Sequence, residues 1–361
     1  MKSLLHDRGV ISRYREYLPV SEATPVVSLN EGSTPLIYSP RLSERAQRRV
    51  FLKYEGLNPT GSFKDRGMTV AMSKAAEAGA TTVVCASTGN TSAAAAAYAA
   101  RAGMKCAVIL PAGKISMGKL VQAFVYGATV VAIRGNFDDA LRLVRELGAD
   151  GSVAVVNSIN PHRIEGQKTA SFEIIDELGD APEVHILPVG NAGNITAYWK
   201  GYREYHAAAK ATRMPRMLGF QAAGSAPIFY DRVIEQPETA ASAIRIGNPA
   251  SWHGAKAAIQ ESGGCIDIVT DEEILDAQAW LARNEGIFVE PASAASVAGL
   301  IKSLSTPVAA CPLPSVPVDA TIVCTVTGHG LKDSDTAMRG RDYAPIEAEA
   351  DVSSVRKALA G

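Results

Sequence analysis

A single lysine, Lys64, sits in a stretch that would hold it still: Asn58-Pro59-Thr60-Gly61-Ser62-Phe63-Lys64-Asp65-Arg66-Gly67-Met68. Pro59 and Gly61 punctuate a turn, Ser62 offers an N-cap, and Asp65 with Arg66 opens a helix. An amine near the positive partial charge of a helix N-terminus can have its pKa lowered until it acts as a nucleophile or base. A lone lysine after a turn is ordinarily a solvated surface residue, so chemistry at Lys64 needs partners elsewhere in the chain.

Four further stretches could supply them. Ser87-Thr88-Gly89-Asn90-Thr91-Ser92 follows an apolar run and leads into an alanine-rich helix. Hydroxyls, an amide and backbone N–H groups at a helix start suit a carboxylate or another anion. A capped turn accounts for one such hydroxyl but not for so many polar residues around one glycine. Gly190-Asn191-Ala192-Gly193-Asn194 lies between a strand pattern and a helix pattern, short enough to cradle a single phosphate. It is not the GxGxxG fingerprint of dinucleotide sites. Asn157-Ser158-Ile159-Asn160-Pro161-His162-Arg163 presents an arginine and several donors ahead of a helix, either a second anion site or a solvated linker. Thr325-Val326-Thr327-Gly328-His329-Gly330 ends the last strand pattern with a hydroxyl that either faces a cleft or simply closes the strand. Gly113 to Leu120 nearly spells a nucleotide-binding P-loop, but Leu120 stands where the metal-binding hydroxyl belongs. The six histidines show no metal-ligand spacing, and no metal is expected.

The elements that must position these stretches alternate. Strand patterns at Val50–Tyr54, Thr82–Ala86, Lys105–Leu110, Thr129–Ile133 and Val153–Val156 are separated by helix patterns at 63–78, 91–101, 117–126 and 137–147. After residue 160 the alternation resumes, with helices at 166–178, 195–209, 271–285 and 292–304, and strands at 185–189, 217–221 and 321–325. A short helix is expected over Ile11–Leu18 and a surface connection over the Pro- and Ala-rich 306–320. Such βα alternation predicts an α/β fold of two three-layer αβα lobes with parallel sheets, the site lying in the interlobe cleft at the strands' carboxyl ends. The smaller lobe is expected over 50–157 and the larger over 1–49 plus 158–361.

Composition narrows the function classes. The 361 residues are 47% hydrophobic, enough for sizeable cores, and the net charge of -1 offers no field for nucleic acid. Five cysteines without a CxxC pair read as buried free thiols. The N-terminus lacks the apolar core of a signal peptide and no run is long enough to span a membrane, so a cytoplasmic protein is expected.

In this order and spacing, the Lys64 stretch, Ser87–Thr91, Gly190–Asn194 and Thr325–Gly330 resemble the fold-type II pyridoxal-phosphate enzymes (tryptophan synthase beta-like). In detail they are most similar to the threonine synthase family, together with the 157–169 stretch, Glu31–Leu36, Ile246–Trp252 and Glu290-Pro291-Ala292-Ser293-Ala294. The resemblance covers roughly residues 28 to 343. It implies that Lys64 binds pyridoxal 5'-phosphate as a Schiff base and then shuttles protons, with Phe63 shaping the pocket wall. Asn90 would bond the cofactor's ring oxygen, Thr327 would face its pyridine nitrogen, and Gly190, Asn191, Ala192, Gly193 and Asn194 would bind its phosphate. Ser87, Thr88 and Thr91 would grip the substrate carboxylate, and Asn157, Ser158 and Arg163 the substrate's own phosphate.

The implied reaction converts O-phospho-L-homoserine and water to L-threonine and phosphate by γ-elimination and β-addition, in a homodimeric lyase of threonine biosynthesis. A serine or threonine dehydratase shares the fold and cofactor but needs no second phosphate site. A non-catalytic pyridoxal-phosphate or metabolite-binding protein is the alternative from another class.

Overall fold

The computed structural model describes residues 9–112, 117–135, 137–149, 151, 153–305, 317–338 and 345–360. Ten strands, β1 (Leu36–Tyr38), β2 (Arg49–Tyr54), β3 (Thr82–Ala86), β4 (Lys105–Pro111), β5 (Thr129–Ile133), β6 (Ala154–Val155), β7 (Val184–Pro188), β8 (Arg216–Ala222), β9 (Cys265–Val269) and β10 (Thr321–Val326), form two sheets among these residues. One has six strands in the order β1-β2-β10-β7-β8-β9 and the other four in the order β5-β4-β3-β6. Every pairing is parallel except β1 with β2, an antiparallel edge that residue periodicity did not disclose.

Both sheets are sandwiched by apolar cores of the kind parallel strands require. Val83, Cys85 and Val108 face one core of the smaller sheet, while Val84 and Ile109 face the other. In the larger sheet Ile186, Leu218 and Cys324 pack on one side and Leu187, Met217 and Val323 on the opposite side. Strand β2, all but its first residue inside the 50–157 interval, pairs with β10 in the larger sheet, Tyr54 opposite Val326.

Several expected elements match to the residue, Thr82–Ala86 and Thr129–Ile133 among them, and others shift at their ends. The helix expected from Gly166 starts at Pro161, because Asn160 caps it by accepting from the His162 N–H at 2.9 Å. The strand Cys265–Val269 and the helices Pro40–Ala46 and Trp252–Ser262 were not expected. The lead-in forms a helix over Val10–Tyr14 followed by a 3-10 turn over Arg15–Tyr17, and Tyr14 packs on Phe172 with centroids 5.4 Å apart. Cys85, Cys106 and Cys324 are buried free thiols. Cys265 is disulfide-bonded, which corrects the reading of all five as free; the lack of a CxxC pair does not by itself exclude a disulfide. The connection at 306–316 and the first half of the P-loop-like stretch, 113–116, lie outside the described residues.

Candidate active site

The turns after β2, β3, β6, β7 and β10 all leave the carboxyl ends of their strands, where parallel sheets present ligand-binding loops. The Lys64 stretch is built largely from its own polar groups. Asp65 accepts both the N–H and the hydroxyl of Thr60, which closes the turn. Arg66 is fully buried and grips two carboxylates, Glu55 through Nε at 2.7 Å and Glu173 through Nη2 at 2.6 Å. Lys53 joins Glu173 at 2.7 Å. Burial alone would raise the Glu173 pKa, but Arg66 and Lys53 outweigh it and hold the carboxyl well below the usual range.

Two glycines then bring the Lys64–Glu77 and Pro161–Leu178 helices together backbone to backbone. A Cβ on Gly166 would lie 1.9 Å from the Arg66 carbonyl oxygen, and one on Gly67 would lie 2.7 Å from that of Arg163. This crossing sets Arg163 close to Lys64. Burial is the main cause lowering the Lys64 pKa to about 7, the Arg163 charge adds to it, and Glu290 opposes both. Lys64 keeps partial solvent contact, as expected of an amine at a cleft. Its Nζ sits 4.3 Å from the centroid of the Phe63 ring. Phe63 rather than Ser62 holds the cap position, without a side-chain bond; the Ser62 hydroxyl accepts the Lys64 N–H at 3.4 Å, and Ser62 also bridges to Gly328.

That bridge joins the Lys64 turn to the turn after β10. Phe63 N–H donates to the Thr327 carbonyl at 3.0 Å and His329 N–H to that of Gly61 at 2.9 Å. Thr327 is buried, its hydroxyl 2.9 Å from that of Ser293, which also accepts the Gly328 N–H at 2.7 Å. Asn90, at the start of the Asn90–Ala102 helix, donates to both carboxylate oxygens of Glu290 at 3.0 and 3.1 Å. Burial raises the Glu290 pKa, with the Asn90 bond the foremost opposing influence. Ser87 accepts the Gly89 N–H at 3.2 Å, and half-buried Thr88 and Thr91 flank that turn.

The stretch after β6 divides its labour. Asn157 accepts the Ala86 N–H at 2.8 Å and donates to the Ala86 carbonyl at 3.0 Å, so its amide anchors the end of β3. Ser158 accepts from Asn191 Nδ2 at 2.6 Å. Arg163 is 1% exposed, and its Nη1 donates to the Val156 carbonyl at 3.2 Å. Its Nε and Nη2 are buried without a partner among the described residues. Burial lowers its pKa to about 10.

At Gly190–Asn194 the chain packs tightly against its neighbours. A Cβ on Gly190 would lie 2.8 Å from Ile244 Cα, and Ala192 takes a left-handed φ of 63° to start the Gly193–Ala207 helix. That helix has no side-chain cap, and both amide atoms of buried Asn194 lack a partner among the described residues. Uncapped N–H groups with an orphaned buried amide fit the phosphate of a cofactor whose carbonyl would meet Lys64. Asn191 also accepts the Ala250 N–H at 2.6 Å, which ties this loop to Ile246–Trp252.

Phe63, Lys64 and Thr327 are thus directly joined, Asn90 reaches Gly328 through Glu290, and Ser158 reaches Asn191. Glu290 and Ser293 were noticed in the sequence only as part of a resembling motif, without a role. The sole hint was an acid and a hydroxyl flanking Pro291 at a helix start.

The family described as "Pyridoxal-phosphate dependent enzyme" matches residues 27–328. Threonine synthase of Synechocystis sp. is 58% identical over 98% of this chain and 91% of its own length. That of Methanocaldococcus jannaschii is 51% identical over 96% of this chain and 86% of its own. Among solved structures, the threonine deaminase of T.th. superposes with a TM-score of 0.69 at 24% identity, covering 90% of this chain and 97% of its own. Maize serine racemase gives 0.72 at 18% identity, covering 98% and 97%. These two likenesses speak to the fold alone. With a family match across most of its length and relatives above half identity, the chain belongs to the pyridoxal-phosphate dependent enzymes, within the threonine synthase family.

Proposed function

We propose that the chain converts O-phospho-L-homoserine and water to L-threonine and phosphate. The observation that carries this reading is Arg163, a buried guanidinium beside Lys64 with two unpartnered nitrogens among the described residues. A dehydratase needs no such second cation for a substrate phosphate; this reaction does.

Gly190 to Asn194 would hold the cofactor's phosphate, Asn90 and Thr327 the two edges of its ring, and Lys64 its carbonyl carbon. When bound, pyridoxal phosphate supplies the electron sink for charge developing at Cα. The Lys64 amine, its pKa lowered to about 7, would take the proton from Cα, pass it on to the electron sink and, free again, take the proton from Cβ as the Cγ–O bond to phosphate breaks. Arg163 and Ser158 receive the departing phosphate. Hydroxide from water adds at Cβ, and protons returned to Cγ and Cα complete the product. Ser87, Thr88 and Thr91 would hold the substrate carboxylate at the start of the Asn90–Ala102 helix, and Asn157 keeps that loop in place through Ala86.

We place the smaller lobe within 50–157 and the larger in 1–49 plus 158–361, with β2 on the larger side by its pairing. No helix among the described residues is long and apolar enough to cross a membrane. A cytoplasmic homodimer is the form the family resemblance supports, and light scattering of the purified protein would test the dimer. The purified holoenzyme is expected to release phosphate from O-phospho-L-homoserine and to form threonine. Production of 2-oxobutanoate from threonine, with no turnover of the phosphorylated substrate, would replace this reading with the dehydratase.

A further inference from the structure

Glu290 is a buried carboxyl near Lys64 that none of the steps above uses. It stands immediately ahead of the Pro291–Ser305 helix and is 4% exposed. Its two oxygens accept from Asn90 Nδ2 at 3.0 and 3.1 Å, while its own N–H donates to the Gly328 carbonyl at 3.0 Å. Gly328 packs so closely that a Cβ there would lie 2.4 Å from Glu290 Oε1. The charged groups facing the carboxyl are Lys64 at its helix start and Lys332 with Asp333 after the β10 turn.

Both Glu290 oxygens accept from Asn90 Nδ2, which turns that nitrogen toward Glu290 and Oδ1 away. One N–H shared between the two oxygens satisfies both distances and leaves the second N–H for a ligand. Asn90 begins a helix of the smaller sheet's layer, whereas Gly328 follows the central strand β10 of the larger sheet. Glu290 touches both.

We propose that Glu290 is a positioning residue of this site: its carboxylate, seated against the Thr327–Gly328 turn, orients the Asn90 amide toward the cofactor ring. This rests on the site taking pyridoxal phosphate. A neutral isostere would keep one acceptor but could also present a donor to Asn90, so the alignment would be only partly retained.

The test compares wild type with E290A, E290Q, N90A and the N90A/E290A double variant. Two quantities are read: the affinity of the apo-protein for pyridoxal phosphate, and the pH midpoint of the bound cofactor's visible absorption. Neither needs turnover. A wild-type protein that binds cofactor but ignores O-phospho-L-homoserine would therefore sink the proposed reaction and leave this proposal standing. E290A is expected to weaken cofactor binding by about tenfold or more, as loss of a bond to a charged group does. It should also displace the pH midpoint, E290Q should recover part of both losses, and the double variant should be no weaker than N90A alone. Additive losses in the double variant, or wild-type affinity and midpoint in E290A, would overturn the proposal. Should E290A fail to fold, E290Q decides: a partial loss that disappears in the N90A background supports the role, and unchanged affinity and midpoint refute it.

Discussion

In the folded chain the Lys64 amine loses its proton near pH 7, whereas the unfolded chain holds it to about 10.5. Between those values the unfolded state binds the extra proton, so this residue's contribution makes stability rise with pH across that window and leaves its full cost in place below it. Lys64→Met is expected to stabilise the apo-protein at neutral pH by about 1 kcal/mol, allowing for the lysine's partial solvent contact. The gain should shrink as pH climbs toward 10.5, which urea unfolding at several pH values would show, while the same substitution abolishes turnover. Arg163 has two effects that can be separated. Arg163→Ala should raise KM for O-phospho-L-homoserine by about tenfold or more. It should also move the midpoint for acylation of Lys64 in the apo-protein above 7, because the guanidinium helps depress that amine. Arg163→Lys, which keeps the charge but not the fork, should preserve the midpoint and still weaken substrate binding. A midpoint unmoved in Arg163→Ala would separate the two residues. At this scale Lys64 was legible because its turn chemistry is local. Asn157 was read as a ligand, yet its amide serves Ala86, and Glu290 had no visible role because its partner Asn90 lies two hundred positions earlier.

The Lys64–Glu77 and Pro161–Leu178 helices act as one element joined at Gly67 and Gly166 and held by buried charge. Gly166→Ala would drive a methyl into the Arg66 carbonyl and is expected to cost ~3 kcal/mol or more, or to prevent folding, as measured by thermal unfolding and soluble yield. Glu173→Gln leaves Arg66 and Lys53 short of a charge in the interior and should destabilise by about 3 kcal/mol. Because the Glu173 pKa is depressed, wild type holds that stabilisation above the ordinary carboxylate range and loses it as acid takes pH down through the folded value. The two proteins' unfolding free energies should therefore converge at low pH. Largely buried strands such as Thr82–Ala86 announce themselves as short apolar runs. The edge strands Leu36–Tyr38 and Cys265–Val269 do not, since one is three residues long and the other only partly buried. Nor could spacing reveal that Gly67 and Gly166 meet, because residue order carries no record of which helices cross.

At the scale of the molecule, two sheets present their carboxyl-end turns to one another, with Lys332 spanning the gap. Its amine donates to the Thr60 carbonyl at 2.9 Å and also to Gln122 of the Met117–Val125 helix. Lys332→Met is expected to loosen the smaller sheet relative to the larger, which amide exchange should register as reduced protection in the Met117–Val125 helix, with the Lys53–Glu173 region unaffected. The order of strands in the larger sheet has a consequence for how the molecule is made. Strand β10 is the last strand among the described residues but occupies a place between β2 and β7. During synthesis the ribosome therefore delivers β2 and β7 long before the strand that joins them, and the larger sheet cannot zip until residue 326 has cleared the exit tunnel. Nascent chains halted before residue 321 would display two unpaired inner edges and depend on holdase chaperones, whereas the smaller sheet, complete by residue 155, could already be folded. The strand that closes the sheet also carries Thr327 to Phe63, so the turn that holds Lys64 gains this partner only after residue 327 has been made.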